Sequence, residues 1–206
     1  MDRRSLITNG SAAAFGAFAL SAFTNGIGPA EAAEAYHEGH PWVPMPDPAT
    51  TFVPSPPFPK GLTNEERRHL QTSDTADFDV FNHADWPRLA ESHAPHIRVH
   101  WPDGHYTDGL EKHTEDMKAL FAWAPDTSIH THYIRVATND LSAFAGVMQG
   151  TFTRPMPDGK GGFIKPTGKK YSINMVTIAL WNKRGTMDEE FLYWDNLNFF
   201  RQIGIL

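Results

Sequence analysis

The residues best suited to chemistry lie near the C-terminal end. In Glu189-Glu190-Phe191-Leu192-Tyr193-Trp194-Asp195, strand alternation puts Phe191, Tyr193 and Asp195 on one face and Glu190, Leu192 and Trp194 on the other. A carboxylate beside aromatic rings loses hydration unless it is paired or its pKa rises, and such placement is how general acids and bases are tuned. Asp195 also precedes a helix, where aspartate is a preferred N-cap, and the two roles are compatible. His130 and His132 are two residues apart and are expected to share a face of their strand. His132 is the expected partner of Asp195: a neutral imidazole there would orient the carboxylate or hold a carbonyl oxygen. Each histidine could equally be a satisfied core or rim residue. As metal ligands the two would need a carboxylate from another strand. The spacing supplies no third ligand, so metal ligands are not expected.

Substrate-binding candidates come from neighbouring strands, and His130 is one of them. His100 alternates with Ile97, Val99 and Trp101. It faces solvent if those three face the core, or the cavity if the sheet is covered on both sides. Trp101 is expected to form part of an aromatic wall. Gln149 and Asn174 are amides inside otherwise apolar strands, so each is a cross-strand hydrogen-bonder or a substrate ligand. Tyr193, on the Asp195 face, could donate to an enolate oxygen.

These side chains need a scaffold, and its elements are legible. Thr63-Asn-Glu-Glu66 is a capping box that opens a helix through Leu70. Asp85-Trp86-Pro87 starts a second helix that ends before Pro95. A strand over 97–101 turns at Pro102-Asp103-Gly104. Leu110, Met117, Leu120, Phe121 and Ala124 recur at helical spacing over 109–124. Long strands follow over 128–138, 141–154, 171–182 and 188–195, and a helix from Asn196 closes at Gly204. Helices followed by an antiparallel meander predict an α+β fold: a curved sheet wrapped over helices, with a cavity between.

The N-terminus reads as an export signal over 1–35. Arg3-Arg4 precedes an apolar run from Ser11 to Phe23, and Ala30-Glu31-Ala32 and Ala33-Glu34-Ala35 are cleavage patterns. The paired arginines suggest the twin-arginine route, which would deliver a folded protein to the periplasm or medium. The run is too short and too rich in Gly and Ala to stay as a membrane span. Residues 36–61 form a proline-rich arm, extended by its prolines, with Trp42, Phe52 and Phe58 available to dock on the domain over 62–206. The 206 residues carry a net charge of −6 with no basic run, which argues against nucleic acid as a partner. Cysteine is absent, which excludes disulfides and thiol catalysis.

Several motifs occur in a familiar order: His100-Trp101-Pro102-Asp103-Gly104, Gly109-Leu110-Glu111, Pro125-Asp126, Gln149-Gly150-Thr151, Pro166-Thr167-Gly168-Lys169, then Trp194-Asp195 and Arg201-Gln202-Ile203-Gly204. In that order they resemble the SnoaL-like polyketide cyclases of the nuclear transport factor 2-like superfamily, over about residues 75 to 206. The resemblance implies a cone-shaped α+β fold enclosing an apolar cavity. It also implies cofactor-free acid/base chemistry, with a carboxylate matching Asp195 shuttling a proton. Many relatives carry a histidine after the Gly-Thr pair, where this chain has Phe152.

The expected function is an exported, cofactor-independent acid/base enzyme of cyclase, isomerase or hydrolase type. Its substrate would be a small hydrophobic carbonyl compound, with Asp195 and His132 catalytic. A non-catalytic binding or assembly module on the same fold is the alternative. A metal-dependent hydrolase would need a carboxylate to converge with His130 and His132. The mixed aromatic and polar outer face of the sheet is compatible with a homodimer.

Overall fold

Helix α1, Asn64–Thr75, begins where Thr63 and Glu66 close the capping box. The Thr63 hydroxyl accepts from the Glu66 N–H at 3.2 Å, and the Glu66 carboxylate accepts from the Thr63 N–H at 2.8 Å. Rather than stopping near Leu70, the helix continues into a π-helical turn, Ala76–Phe81. There the N–H groups of Asn82 and Asp85 reach back five residues to Asp77 and Val80. Asp74 and Asp77, three residues apart, project from one side of this continuous helix. The structure, a computed structural model, describes residues 54–206. The expected signal and most of the arm, including Trp42 and Phe52, lie outside the described residues.

A short 3-10 helix, Trp86–Glu91, has Pro87 in its first turn and leads into β1, His93–His100. Strand β2, Tyr106–Asp108, and helix α2, Leu110–Trp123, follow. The remainder is β3, Ser128–Thr138; β4, Leu141–Thr151; a small hairpin of β5, Met156–Pro157, and β6, Phe163–Ile164; β7, Lys170–Trp181; and β8, Met187–Trp194. Helix α3, Asn196–Ile203, closes at Gly204 with a left-handed φ of 75°. No described helix is long and apolar enough to cross a membrane.

Six strands form one sheet in the order β2-β1-β8-β7-β4-β3. Its pairings are antiparallel except for β1 beside β8, which is parallel. That exception puts the first long strand against the last, between β2 and the meander. The core fills the concave side, where Trp123, Met148, Ile173, Phe199 and Ile203 pack together with residues of α2 and the π-helical turn. Phe152 is fully buried there and meets Trp123 edge-on at 5.3 Å.

Strand β3 departs from simple alternation. Against β4, Ile129 pairs with Met148, His132 with Gly146 and Ile134 with Ala145, so β3 carries an extra residue on each side of His132. Ile129, His132 and Arg135 are therefore buried at three-residue intervals, whereas His130 is exposed. The expected shared face of His130 and His132 is thereby lost. Gly146 makes the double bulge possible: a Cβ there would lie 2.7 Å from the Thr131 carbonyl oxygen and 3.0 Å from the His132 ring.

The same strand is an edge of the sheet, and the described end of the arm covers it. The Ser55 hydroxyl accepts from the His132 N–H at 3.0 Å, and the Pro56 carbonyl accepts from Arg135. The Arg135 guanidinium stands 4.5 Å from the centre of the Phe58 ring.

Candidate active-site cavity

Between sheet and helices lies a cavity of about 70 Å³. Trp101, Trp194, Met117, Leu120, Met148 and Met175 are among the apolar residues of its wall. The two indole N–H groups are satisfied elsewhere, by Thr107 at 3.0 Å and Asn196 at 2.8 Å, so the tryptophans offer the cavity flat apolar surface. Into this wall come four titratable side chains: Asp77, His93, His113 and Glu190. They form two groups.

The first group is built on α1 and β3. His132 is wholly buried between Phe78 and Phe144, with ring centres 4.5 and 4.4 Å away. Its Nδ1 lies 2.8 Å from an Asp74 oxygen and its Nε2 2.8 Å from an Asp77 oxygen. Asp74 in turn accepts from Arg135. An imidazole facing a carboxylate on each side can donate to both only as the imidazolium. Burial pulls the His132 pKa down, but the hydrogen bonds and charges of Asp74 and Asp77 outweigh it and hold the value above 6.5. Two carboxylates are thus matched by two cations. One Asp77 oxygen is held by His132, and the other makes no hydrogen bond among the described residues.

The second group comes from three elements. β8 turns Glu190, Leu192 and Trp194 inward, α2 buries His113 one turn before Met117, and His93 opens β1. Nε2 of His93 lies 3.9 Å and Nε2 of His113 3.7 Å from the same Glu190 oxygen. Leu89 O, which can only accept, stands 3.2 Å from His93 Nδ1, and Ser92 Oγ stands 2.7 Å from it. These contacts favour the tautomer with its proton on Nδ1, which leaves Nε2 bare. Burial, reinforced by His93 and Lys112, pushes the His113 pKa well below the usual value, so this ring is neutral. Glu190 Oε2 and His113 Nδ1 are buried with no hydrogen-bond partner among the described residues.

The structure separates the expected catalytic pair. Asp195 is exposed at the start of α3, where its carboxylate accepts from the Asn198 N–H at 2.9 Å, the ordinary work of an N-cap. It is not on the cavity wall, and both nitrogens of His132 are taken by Asp74 and Asp77. The alternation read for β8 holds, but the inward face is the one with Glu190. Tyr193, on the opposite face, is 51% exposed. His130 and Gln149 are exposed. Asn174 lies off the cavity, and its side-chain oxygen accepts from the Tyr133 hydroxyl at 3.2 Å. His100 also lies on the outer face, with Nε2 2.6 Å from Glu189 and its ring stacked on Phe191 at 4.2 Å. Ile97, Val99 and Trp101 face the core. Of the eight candidates, Trp101 lines the cavity and His132 sits behind it, holding Asp77.

Asp74, Asp77, His93, His113 and Glu190 were not among the candidates. Their signals were present but faint. The two aspartates have helical spacing just after a capping box, His113 falls in the apolar stripe of α2, and Glu190 shares parity with Leu192 and Trp194.

Solved structures share this architecture. A protein from Jannaschia sp. CCS1, described as a candidate SnoaL-like polyketide cyclase, superposes with a TM-score of 0.63 at 16% identity, over 72% of this chain and 99% of that one. IdmH from Streptomyces antibioticus, described as a candidate polyketide cyclase, does so with a TM-score of 0.54 at 27% identity, over 65% of this chain and 99% of its own. TsrD from Streptomyces laurentii gives 0.56 at 19% identity, over 70% and 99%. No curated protein matches the chain. The sequence profile of SnoaL-like polyketide cyclases matches residues 73–203, from the end of α1 through α3, which is the whole cone and its cavity. With fold, cavity and profile in agreement, the chain belongs to the SnoaL-like polyketide cyclase family.

Proposed function

We propose that the protein is an acid/base enzyme of cyclase or isomerase type, acting on a small, largely apolar carbonyl compound held in the cavity. Asp77 is the proton-transferring group and His132 its partner. One observation carries this reading: a carboxylate on an apolar wall has one oxygen held by a buried imidazolium and the other without a hydrogen bond among the described residues. Asp77 takes a proton from the carbon beside the carbonyl, and the electron pair moves onto the carbonyl oxygen. The proton returns to the same molecule after the new bond or isomer has formed, so no oxidant or reductant is consumed. The charged and titratable groups on the wall favour catalysis over a purely binding module.

The proposal includes export by the 1–35 signal, read by N-terminal sequencing of secreted protein. It also includes pairing of two copies through the outer sheet face, where Ile134, Val136 and Tyr193 are 47%, 50% and 51% exposed; sizing chromatography reads this.

The test of the chemistry needs no known substrate. Purified protein is incubated in D2O with small aryl ketones and 1,3-dicarbonyl compounds, and exchange of the C–H beside the carbonyl is followed by NMR. Wild type should accelerate exchange for compounds that fit, and Asp77→Asn should lower that rate by about 10²–10⁴-fold. Exchange no faster than in buffer, or undiminished in Asp77→Asn, refutes the reading.

A further inference from the structure

The acid/base reading leaves the group formed by His93, His113 and Glu190 unused. A carboxylate whose side chain is 9% exposed stands beside two imidazoles, each 5% exposed, and none of the three makes a hydrogen bond with another at ordinary distance. Leaving a buried carboxylate oxygen without a donor costs free energy that a fold avoids unless something fills the place. The ligating atoms of the three residues lie within 4.8 Å of one another. A tetrahedral zinc ion with bonds of about 2.0–2.1 Å sets its ligand atoms about 3.4 Å apart. The observed 3.7 and 3.9 Å to Glu190 need only a small contraction.

We propose that His93, His113 and Glu190 bind one divalent transition-metal ion of the zinc type, on the cavity wall, with coordination positions open to the cavity. The donor set is right for such an ion. Two imidazoles and one carboxylate suit zinc and its first-row neighbours, whereas magnesium and calcium prefer oxygen alone. The ligands come from β1, α2 and β8, so the fold itself brings them together. Around His93 the outer shell is in place, since Leu89 O and Ser92 Oγ hold Nδ1 and turn Nε2 to the site. The Trp101 ring packs 5.9 Å from the His113 ring. An open position facing the cavity would take a carbonyl or hydroxyl oxygen of the bound molecule.

This inference goes beyond the acid/base reading and does not depend on it. The experiment uses the full chain, stripped with a chelator and then freed of it. Zn²⁺ is titrated by calorimetry, and Co²⁺ by its visible absorption. One high-affinity equivalent per chain is expected, along with a rise in the thermal midpoint on adding Zn²⁺. Glu190→Gln, nearly the same shape, and His113→Ala should each weaken binding by at least about 100-fold. If His113→Ala fails to fold, Glu190→Gln decides alone. Asp77→Asn should keep the metal, so failure of this inference and failure of the acid/base reading give different results. No binding of Zn²⁺ or Co²⁺, or binding that survives Glu190→Gln because other histidines hold the ion, overturns the proposal.

Discussion

Replacing Asp74 with Asn tests the charge arrangement behind the cavity. Asp74 stands between two cations: His132, wholly buried, and Arg135, whose side chain is 6% exposed. Removing the carboxylate charge leaves His132 with Asp77 alone and Arg135 with no ion-pair partner among the described residues. Removing one partner of a buried ion pair costs about 3–5 kcal/mol. Asparagine keeps one accepting oxygen, so one hydrogen bond worth about 0.5–1.5 kcal/mol survives, and His132 can relax by releasing its proton. The expected loss is about 2–4 kcal/mol, against a total stability of about 5–15 kcal/mol for a domain of this kind.

The loss should depend on pH, and its sign follows from linkage. The His132 pKa is raised on folding above 6.5, so its contribution is complete below the unfolded value and fades as pH rises through the folded one. Asp74→Asn removes much of that contribution, so the two proteins should differ most below the unfolded histidine value of about 6.5, and the gap should narrow as pH rises through the folded one to the share that Arg135 retains. Urea unfolding followed by tryptophan fluorescence, run on both proteins across this range, gives the difference directly. A loss below about 1 kcal/mol, or one that stays flat or grows with pH, refutes a buried imidazolium between two carboxylates.

Two further substitutions probe the frame. Gly146→Ala should cost about 1–3 kcal/mol, because its Cβ would press on the Thr131 carbonyl and the His132 ring across the double bulge; denaturant midpoints measure it, and a neutral result would mean that β3 can shift at little cost. Asp195→Ala should lower stability by about 0.5–2 kcal/mol through loss of the α3 cap while leaving carbonyl-directed exchange unchanged. Lost exchange with stability intact would return Asp195 to the chemistry.

Much of the scaffold was readable because its signals are local. The capping box at Thr63, the stripe of α2, strand β3 over 128–138 and the left-handed stop at Gly204 depend on neighbours within a few residues. So did the order of motifs that marks the family. Alternation correctly divided β8 into two sets, Glu190-Leu192-Trp194 and Phe191-Tyr193-Asp195.

Tertiary structure alone decided which set faces inward. Both faces of β8 carry aromatic rings, so hydrophobicity could not say which one the helices would cover. It also decided the partner of His132. Two extra residues in β3 break the period of two and put His132 in step with Arg135 rather than His130. A bulge depends on the strand opposite, here on the missing side chain of Gly146, and no pattern within β3 encodes that. The site residues Asp77, His93, His113 and Glu190 are scattered over more than a hundred positions of the chain. They meet because the last long strand pairs parallel with the first while α1 and α2 lie across the concave face. Sequence by itself determined the elements and the family. The meeting of distant side chains at one cavity is a property of how those elements pack.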